Sequence, residues 1–181
     1  MKKVLLSMLA VICMSSLAYA QPGTAFGTID IFADPALTSC NVTTAAVFPV
    51  YIGHTNTAGA TASAFHIDHP ADFVFLGEVQ AQGLKLGSSE NGVGLSYNTC
   101  LSGTFLILTV QYATQGSPTC GLMTILGDLT HVSQQVAIVN CSEISSRYDQ
   151  GGQARVNPDG TCQCSVPVQQ TTWGGIKALY E

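Results

Sequence analysis

Phe105-Leu106-Ile107-Leu108-Thr109-Val110 is the run that decides the fold. Six residues rich in β-branched and aromatic types, apolar on both alternating faces, describe a strand covered on both sides. Around it lie other short apolar runs. Thr24 to Phe32 alternates, with Ala25, Gly27, Ile29 and Ile31 on one side and Phe26, Thr28, Asp30 and Phe32 on the other. Ala45 to Ile52 is a second strand, with Pro49 restricting it to an edge or a bulge because proline has no N–H for a ladder. Ala62–Ile67, Phe73–Val79, Val93–Tyr97, Gly121–Leu126, Gln135–Asn140 and Gln153–Val156 complete the set, with the opening run extended to Thr104–Tyr112. Asn56-Thr57-Ala58-Gly59, Gln82-Gly83, Gly87 to Gly92, Gly116-Ser117-Pro118 and Asn157-Pro158-Asp159-Gly160 separate them with turn chemistry. Short strands with polar turns, and no strand–helix alternation, predict a single all-β sandwich.

The two ends of the chain read differently. Met1 to Ala20 places Lys2 and Lys3 before the apolar run from Val4 to Cys13 and closes on Ala18-Tyr19-Ala20, the pattern of a cleaved secretory signal. Ile12 is too large for a lipoprotein cleavage site, so no lipid anchor is expected. The body is expected over 21–168 and a tail over 169–181. In that tail Trp173, Ile176 and Tyr180 stand at helical spacing behind a Thr172 N-cap, which predicts a short C-terminal helix.

Export gives the cysteines their meaning. Cys13 leaves with the signal, and Cys40, Cys100, Cys120, Cys141, Cys162 and Cys164 remain, an even number that predicts a disulfide-stabilised domain. The pairing favoured from strand order is Cys100 with Cys120, closing the ends of the Thr104–Tyr112 region. Cys40 and Cys141 would then take Cys162 and Cys164 in either order. Cys162-Gln163-Cys164 lacks the two-residue spacer of redox pairs.

Loss of Lys2 and Lys3 leaves Lys85, Arg147, Arg155 and Lys177 against eleven acids, a formal charge of −7. So few cations cannot release many counterions from a phosphate backbone, so nucleic acid is not an expected partner. No later apolar run approaches the ~18 residues of a membrane span. Charged residues make up 9% of the chain, against ~25% in ordinary domains, and Thr, Ser, Asn, Gln and Gly supply the polar surface.

The tail resembles a C-terminal pattern of uncharacterised secreted bacterial proteins. It runs from Asn157-Pro158 through Cys162-Gln163-Cys164 to Thr171-Thr172-Trp173-Gly174-Gly175-Ile176-Lys177-Ala178-Leu179-Tyr180. Gly27 to Phe32 and Phe48 to Ile52 are similar, more loosely, to the opening strands of cohesin-like and immunoglobulin-like sandwiches. Neither resemblance brings a catalytic residue.

Candidate chemistry is sparse. Phe65-His66-Ile67-Asp68-His69-Pro70-Ala71-Asp72 gathers two imidazoles and two carboxylates that suit zinc, with His54 or His131 to complete a set. The competing reading is a strand end in which Asp68 and Asp72 bond turn amides, and no metal is predicted. A structural calcium would fall at Asp30 and Asp34 or at Asn157 and Asp159, neither spaced as an EF-hand; no cofactor is predicted. Gly94-Leu95-Ser96-Tyr97-Asn98 lacks the second glycine of a nucleophile elbow. Asn41-Val42-Thr43 fits a glycosylation acceptor but reads as a loop after Cys40. Tyr51, Tyr97, Tyr112 and Tyr148 are candidate contact aromatics. The expectation is a secreted, non-catalytic module that binds an extracellular protein or glycan, outside the cell, at its surface or in a periplasm. The alternatives are a structural surface or filament subunit, and a metal-dependent hydrolase using His66, Asp68 and His69.

Overall fold

The structure, a computed structural model, describes residues 26–164. The tail expected to be helical and the N-terminal signal lie outside the described residues. Within them the chain is all β. The strands are β1 (Thr28–Phe32), β2 (Asn41–Val42), β3 (Val47–Asp68), β4 (Phe73–Gln80) and β5 (Leu84–Ser88). They continue as β6 (Gly92–Thr114), β7 (Gly121–Leu126), β8 (Val136–Asn140), β9 (Ser145–Tyr148) and β10 (Gln150–Val156).

The opening run lies in β6, where β3 and β4 flank it: Leu108 faces Ile52 on one side and Gln80 on the other. Ile107, Leu108 and Val110 are fully buried, whereas Phe105 and Leu106 are half-buried. β3 and β6 are far longer than the sequence suggests, 22 and 23 residues. Asn56–Gly59 does not reverse the chain, and Ala45–Ile52 and Ala62–Ile67 belong to one strand. The reason is local. Asn56, Asn98 and Gly103 take left-handed φ values of 54°, 60° and 84°, and the β3–β6 register shifts four times between Ile52 and Ala62. Residues that tolerate positive φ absorb extra residues as bulges and bend the ribbon without ending it.

That bend makes the sandwich. The β3–β6 ribbon folds back over itself, so that Tyr97 and Phe105 of β6 meet at 5.4 Å and one half of the ribbon faces the other. One half is flanked by β1 and β4, the other by β5 and β8, with β9 beyond β8, and β2-β10-β7 joins the end of β3 through His66–Asp68 against Thr124–Leu126. Ile29, Ile52, Phe65, Leu95, Met123, Ile125 and Ile138 fill the space between. Pro49 sits beyond the end of the β1–β3 pairing, where β3 has a neighbour on the β6 side only. β10 crosses close to β1, and Gly152 permits it: a Cβ there would lie 1.8 Å from Asp30 Oδ1.

All six cysteines are paired, as Cys40–Cys164, Cys100–Cys141 and Cys120–Cys162. The pairing of Cys100 with Cys120 is therefore wrong, and so is that of Cys141 with the C-terminal cysteines. The cause is the neighbours of β3. Ala60 faces Leu101 of β6 and Asn140 of β8, so Cys100 and Cys141 meet across Gly59, whose missing Cβ would lie 2.7 Å and 3.0 Å from Cys141 and Cys100 Sγ. Gly121 pairs with Val156, and the Cys120 amide bonds the Asn157 carbonyl, which brings Cys120 to the segment carrying Cys162. The Asn41 side chain accepts from the Cys164 amide at 3.0 Å, so it is used within the fold. Among the described residues no helix is long and apolar enough to cross a membrane.

Candidate functional site

The His66–Asp72 constellation is dispersed. His66, two residues before the end of β3, is turned inward, 8% exposed, with Nδ1 at 2.5 Å from the Gly127 carbonyl. Asp68 and Asp72 point to solvent. His69 turns the other way, its Nε2 donating to Glu90 at 2.9 Å and its ring edge-on to Tyr112 at 4.9 Å. Among the described residues the one group spaced to hold an ion is Cys120, Asp159 and Cys162, and its two sulfurs are bonded to each other.

The calcium candidates are engaged in local bonds. Asp34 accepts from the amides of Thr38 and Ser39, and Asp159 from the amide and hydroxyl of Thr161, which hold its carboxyl below the usual range. Asn157 bridges Thr44 and the Pro118 carbonyl. Asp30 is buried, and its Oδ2 accepts from the hydroxyls of Thr28 at 2.7 Å and Thr55 at 2.5 Å.

Next to it is a buried network that sequence did not reveal. His54 is fully enclosed; its Nε2–H donates to the Phe26 carbonyl at 2.7 Å, and Phe105 and Tyr97 flank the ring. The Tyr97 hydroxyl donates to Ser63 at 2.6 Å, and burial holds its phenol well above the ordinary value. Burial lowers the His54 pKa, and the opposing effects of the Phe26 carbonyl and Asp30 do not cancel it. The unfolded chain therefore takes up this proton first. Stability from His54 is complete above about pH 6.5 and falls as pH drops towards the lower folded value. Urea unfolding of wild type at pH 7.5 and 5.5 should show that loss, and His54→Gln should show distinctly less of it. An identical pH slope in the variant would remove His54 as the cause.

The outer surface holds the strongest feature. In β4, Phe73 and Phe75 turn inward to Tyr112, while Val74 (39% exposed), Leu76 (54%) and Val79 (69%) turn outward. In β5, Leu84 (57%) and Leu86 (69%) flank Lys85, which folds inward to the almost fully buried carboxylate of Glu78 at 2.8 Å. β4 and β5 both bond to the side of β6 away from β3 and face each other through Glu78 and Lys85, so this margin carries exposed aliphatic side chains on both of its flanks, three from β4 and two from β5. The register rule that sends Phe73 in sends Val74 out, but no residue of either strand announces a place at a margin. Of the candidate aromatics, Tyr97 and Tyr112 are core residues, and Tyr51 and Tyr148 are half-buried.

No protein-family model matches the chain, nor does any curated protein. Among solved structures, the chain is similar to a cohesin module from a Clostridium perfringens family 33 glycoside hydrolase. The TM-score is 0.52 at 8% identity, over 75% of this chain and all of that one. A non-cellulosomal cohesin of the archaeon Archaeoglobus fulgidus gives 0.49 at 14% identity, over 72% of this chain and 91% of that one. A Clostridium thermocellum cohesin from a cohesin–dockerin complex gives 0.46 at 6% identity, over 77% of this chain and 99% of that one. At these identities the likeness is one of fold. It agrees with the cohesin-like side of the strand resemblance and makes the fold of this chain a cohesin-like, disulfide-bonded β-sandwich.

Proposed function

We propose that the chain is an exported, non-catalytic binding module that docks a protein partner on the apolar margin of β4 and β5. The observation that carries this is the set Val74, Leu76, Val79, Leu84 and Leu86, all exposed on the neighbouring strands β4 and β5, whereas the other exposed large hydrophobics among the described residues, Val47, Leu122, Leu129, Val132 and Ile144, are spread over β3, β7 and two loops. Keeping clustered large apolar side chains in water costs free energy, so such clusters mark interaction surfaces. The aliphatic character favours protein over glycan, because valine and leucine offer a sugar no aromatic plane. Three disulfides suit an oxidising compartment. In this reading 1–20 is a removed signal, 21–168 the binding body and 169–181 a helical tail. His66 and His54 support a non-catalytic role, since each is enclosed and bonded to a backbone carbonyl.

The test is retention of a partner by the tagged mature chain from the secretome of its own source. Wild type and a Val132→Lys control, altered at a fully exposed loop residue, should retain the same partner. A Leu76→Lys/Leu86→Lys variant should lose it at least tenfold. Equal retention by the double variant, or substrate turnover without any retained partner, would overturn the proposal.

A further inference from the structure

A second feature adjoins the apolar margin. At the head of β4 is a shallow depression of about 490 Å³ lined by Phe73, Val74, Phe75, Ser88, Glu90 and Asn91. Two carboxylates lie at this end of the sheet and differ in kind. Glu78 is 2% exposed and closed off, accepting from Lys85 at 2.8 Å and from the Ser89 amide at 3.0 Å. Glu90 is 29% exposed, is held by His69 at 2.9 Å, and opens on the depression. These are the two ion pairs among the described residues, and neither gives Glu90 a lysine or arginine.

The wall behind is unusual as well. The hydroxyls of Ser89 and Tyr112 are buried without a hydrogen-bond partner. Ser89 stands between the lining residues Ser88 and Glu90, and the Tyr112 ring lies against Phe73 and Phe75 at 6.1 and 6.2 Å. Burial, with Glu90 and then Glu78 nearby, pushes the Tyr112 phenol far above its ordinary value, so it stays protonated as a donor. The setting is acidic: residues 26–164 carry ten carboxylates and three Lys or Arg, and Asp68 at the end of β3 and Asp72 on the loop leading into β4 are exposed.

We infer that this depression receives a Lys or Arg side chain from the protein partner, with Glu90 as its counter-ion. The inference rests on the docking reading above and names the partner's chemistry. A long aliphatic stem covers the phenylalanine floor while its cationic head reaches the carboxylate, the division of labour these side chains favour. A charge-assisted bond to Glu90 adds direction. β4 is hydrogen-bonded through β6 alone, so its other side is free to take the extended backbone that carries the basic residue.

The test uses the ¹⁵N-labelled mature protein and three peptides, Ac-Val-Arg-Val-NH₂, Ac-Val-Gln-Val-NH₂ and Ac-Val-Glu-Val-NH₂. The arginine peptide should shift the amides of Phe73–Phe75 and Glu90–Asn91 and bind at least tenfold more tightly than the glutamine peptide. Added salt should weaken it, and Glu90→Gln, but not Glu143→Gln, should abolish the preference while the spectrum stays dispersed. Equal binding of the arginine and glutamine peptides, or shifts confined to other strands, overturns the inference. So does self-association, seen as concentration-dependent shifts at Glu90 without peptide that Arg147→Gln removes. Partner retention separates the two proposals. If Leu76→Lys/Leu86→Lys loses the partner while Glu90→Gln keeps it in full and the arginine peptide is not preferred, docking stands and the basic-residue site fails. If neither variant changes retention, both fail.

Discussion

Replacing Cys40 and Cys164 together by alanine is expected to lower the free energy of unfolding by about 4–5 kcal/mol, read from the urea midpoint at pH 7.5. The bridge spans 124 residues, the longest loop of the three, so its loss releases the most freedom in the unfolded chain. Packing adds to this. Cys40 is 4% exposed and belongs to the main core, with Cys164 packed against it. The bridge also holds the end of the described chain beside the two-residue β2, whose parallel pairing with β10 is too short to hold that margin alone. The Cys100→Ala/Cys141→Ala variant is the comparison. Its bridge spans 41 residues and both cysteines are exposed, so the expected loss is smaller. A larger loss from the exposed bridge would contradict this account of what holds the sandwich closed.

Leu108→Ala should cost about 3–5 kcal/mol, while Leu106→Ala should cost less than about 1 kcal/mol. Leu108 is fully buried between Ile52 and Gln80, with β3 on one side and β4 on the other, so truncation leaves a cavity that two flanking strands prevent from collapsing. Leu106, two residues earlier, is half-buried and lines an open surface cleft with Leu37, Phe32 and Asn56. Solvent can take the place of its lost methyl groups. Similar costs at both positions would mean that the run is buried evenly along its length, as its composition alone suggests.

Parts of this architecture are legible in the residues because they depend on local chemistry. β7 and β8 read almost residue for residue from Gly121–Leu126 and Gln135–Asn140, where β-branched runs end at turn residues. Pro49 announces a one-sided position because the missing N–H forbids any other. Where tertiary neighbours decide, sequence falls short. Asn56 and Gly59 have turn chemistry, but a partner strand that runs the whole way alongside makes them bulges. Leu84–Ser88 was missed because Lys85 interrupts its apolar pattern, and only Glu78, seven residues earlier, explains how a lysine turns inward. Ser145–Tyr148 is polar and becomes a strand by pairing with β8. Disulfide connectivity depends on which strands flank β3, a long-range fact that no spacing encodes. The binding margin was hidden for a related reason. Phe73-Val74-Phe75-Leu76 is apolar on both faces like a central strand, yet it lies at the side of the sheet, so half of its apolar surface stays in water.

The most direct measurement of the central claim is hydrogen exchange of the mature chain alone and in complex with the partner it retains. Slowed exchange should appear across 73–88 and at the β5–β6 turn, with β8 and β9 on the opposite side of the layer unchanged. Protection confined to β8, β9 or the β2–β10 side, with 73–88 exchanging as in the free chain, would contradict it.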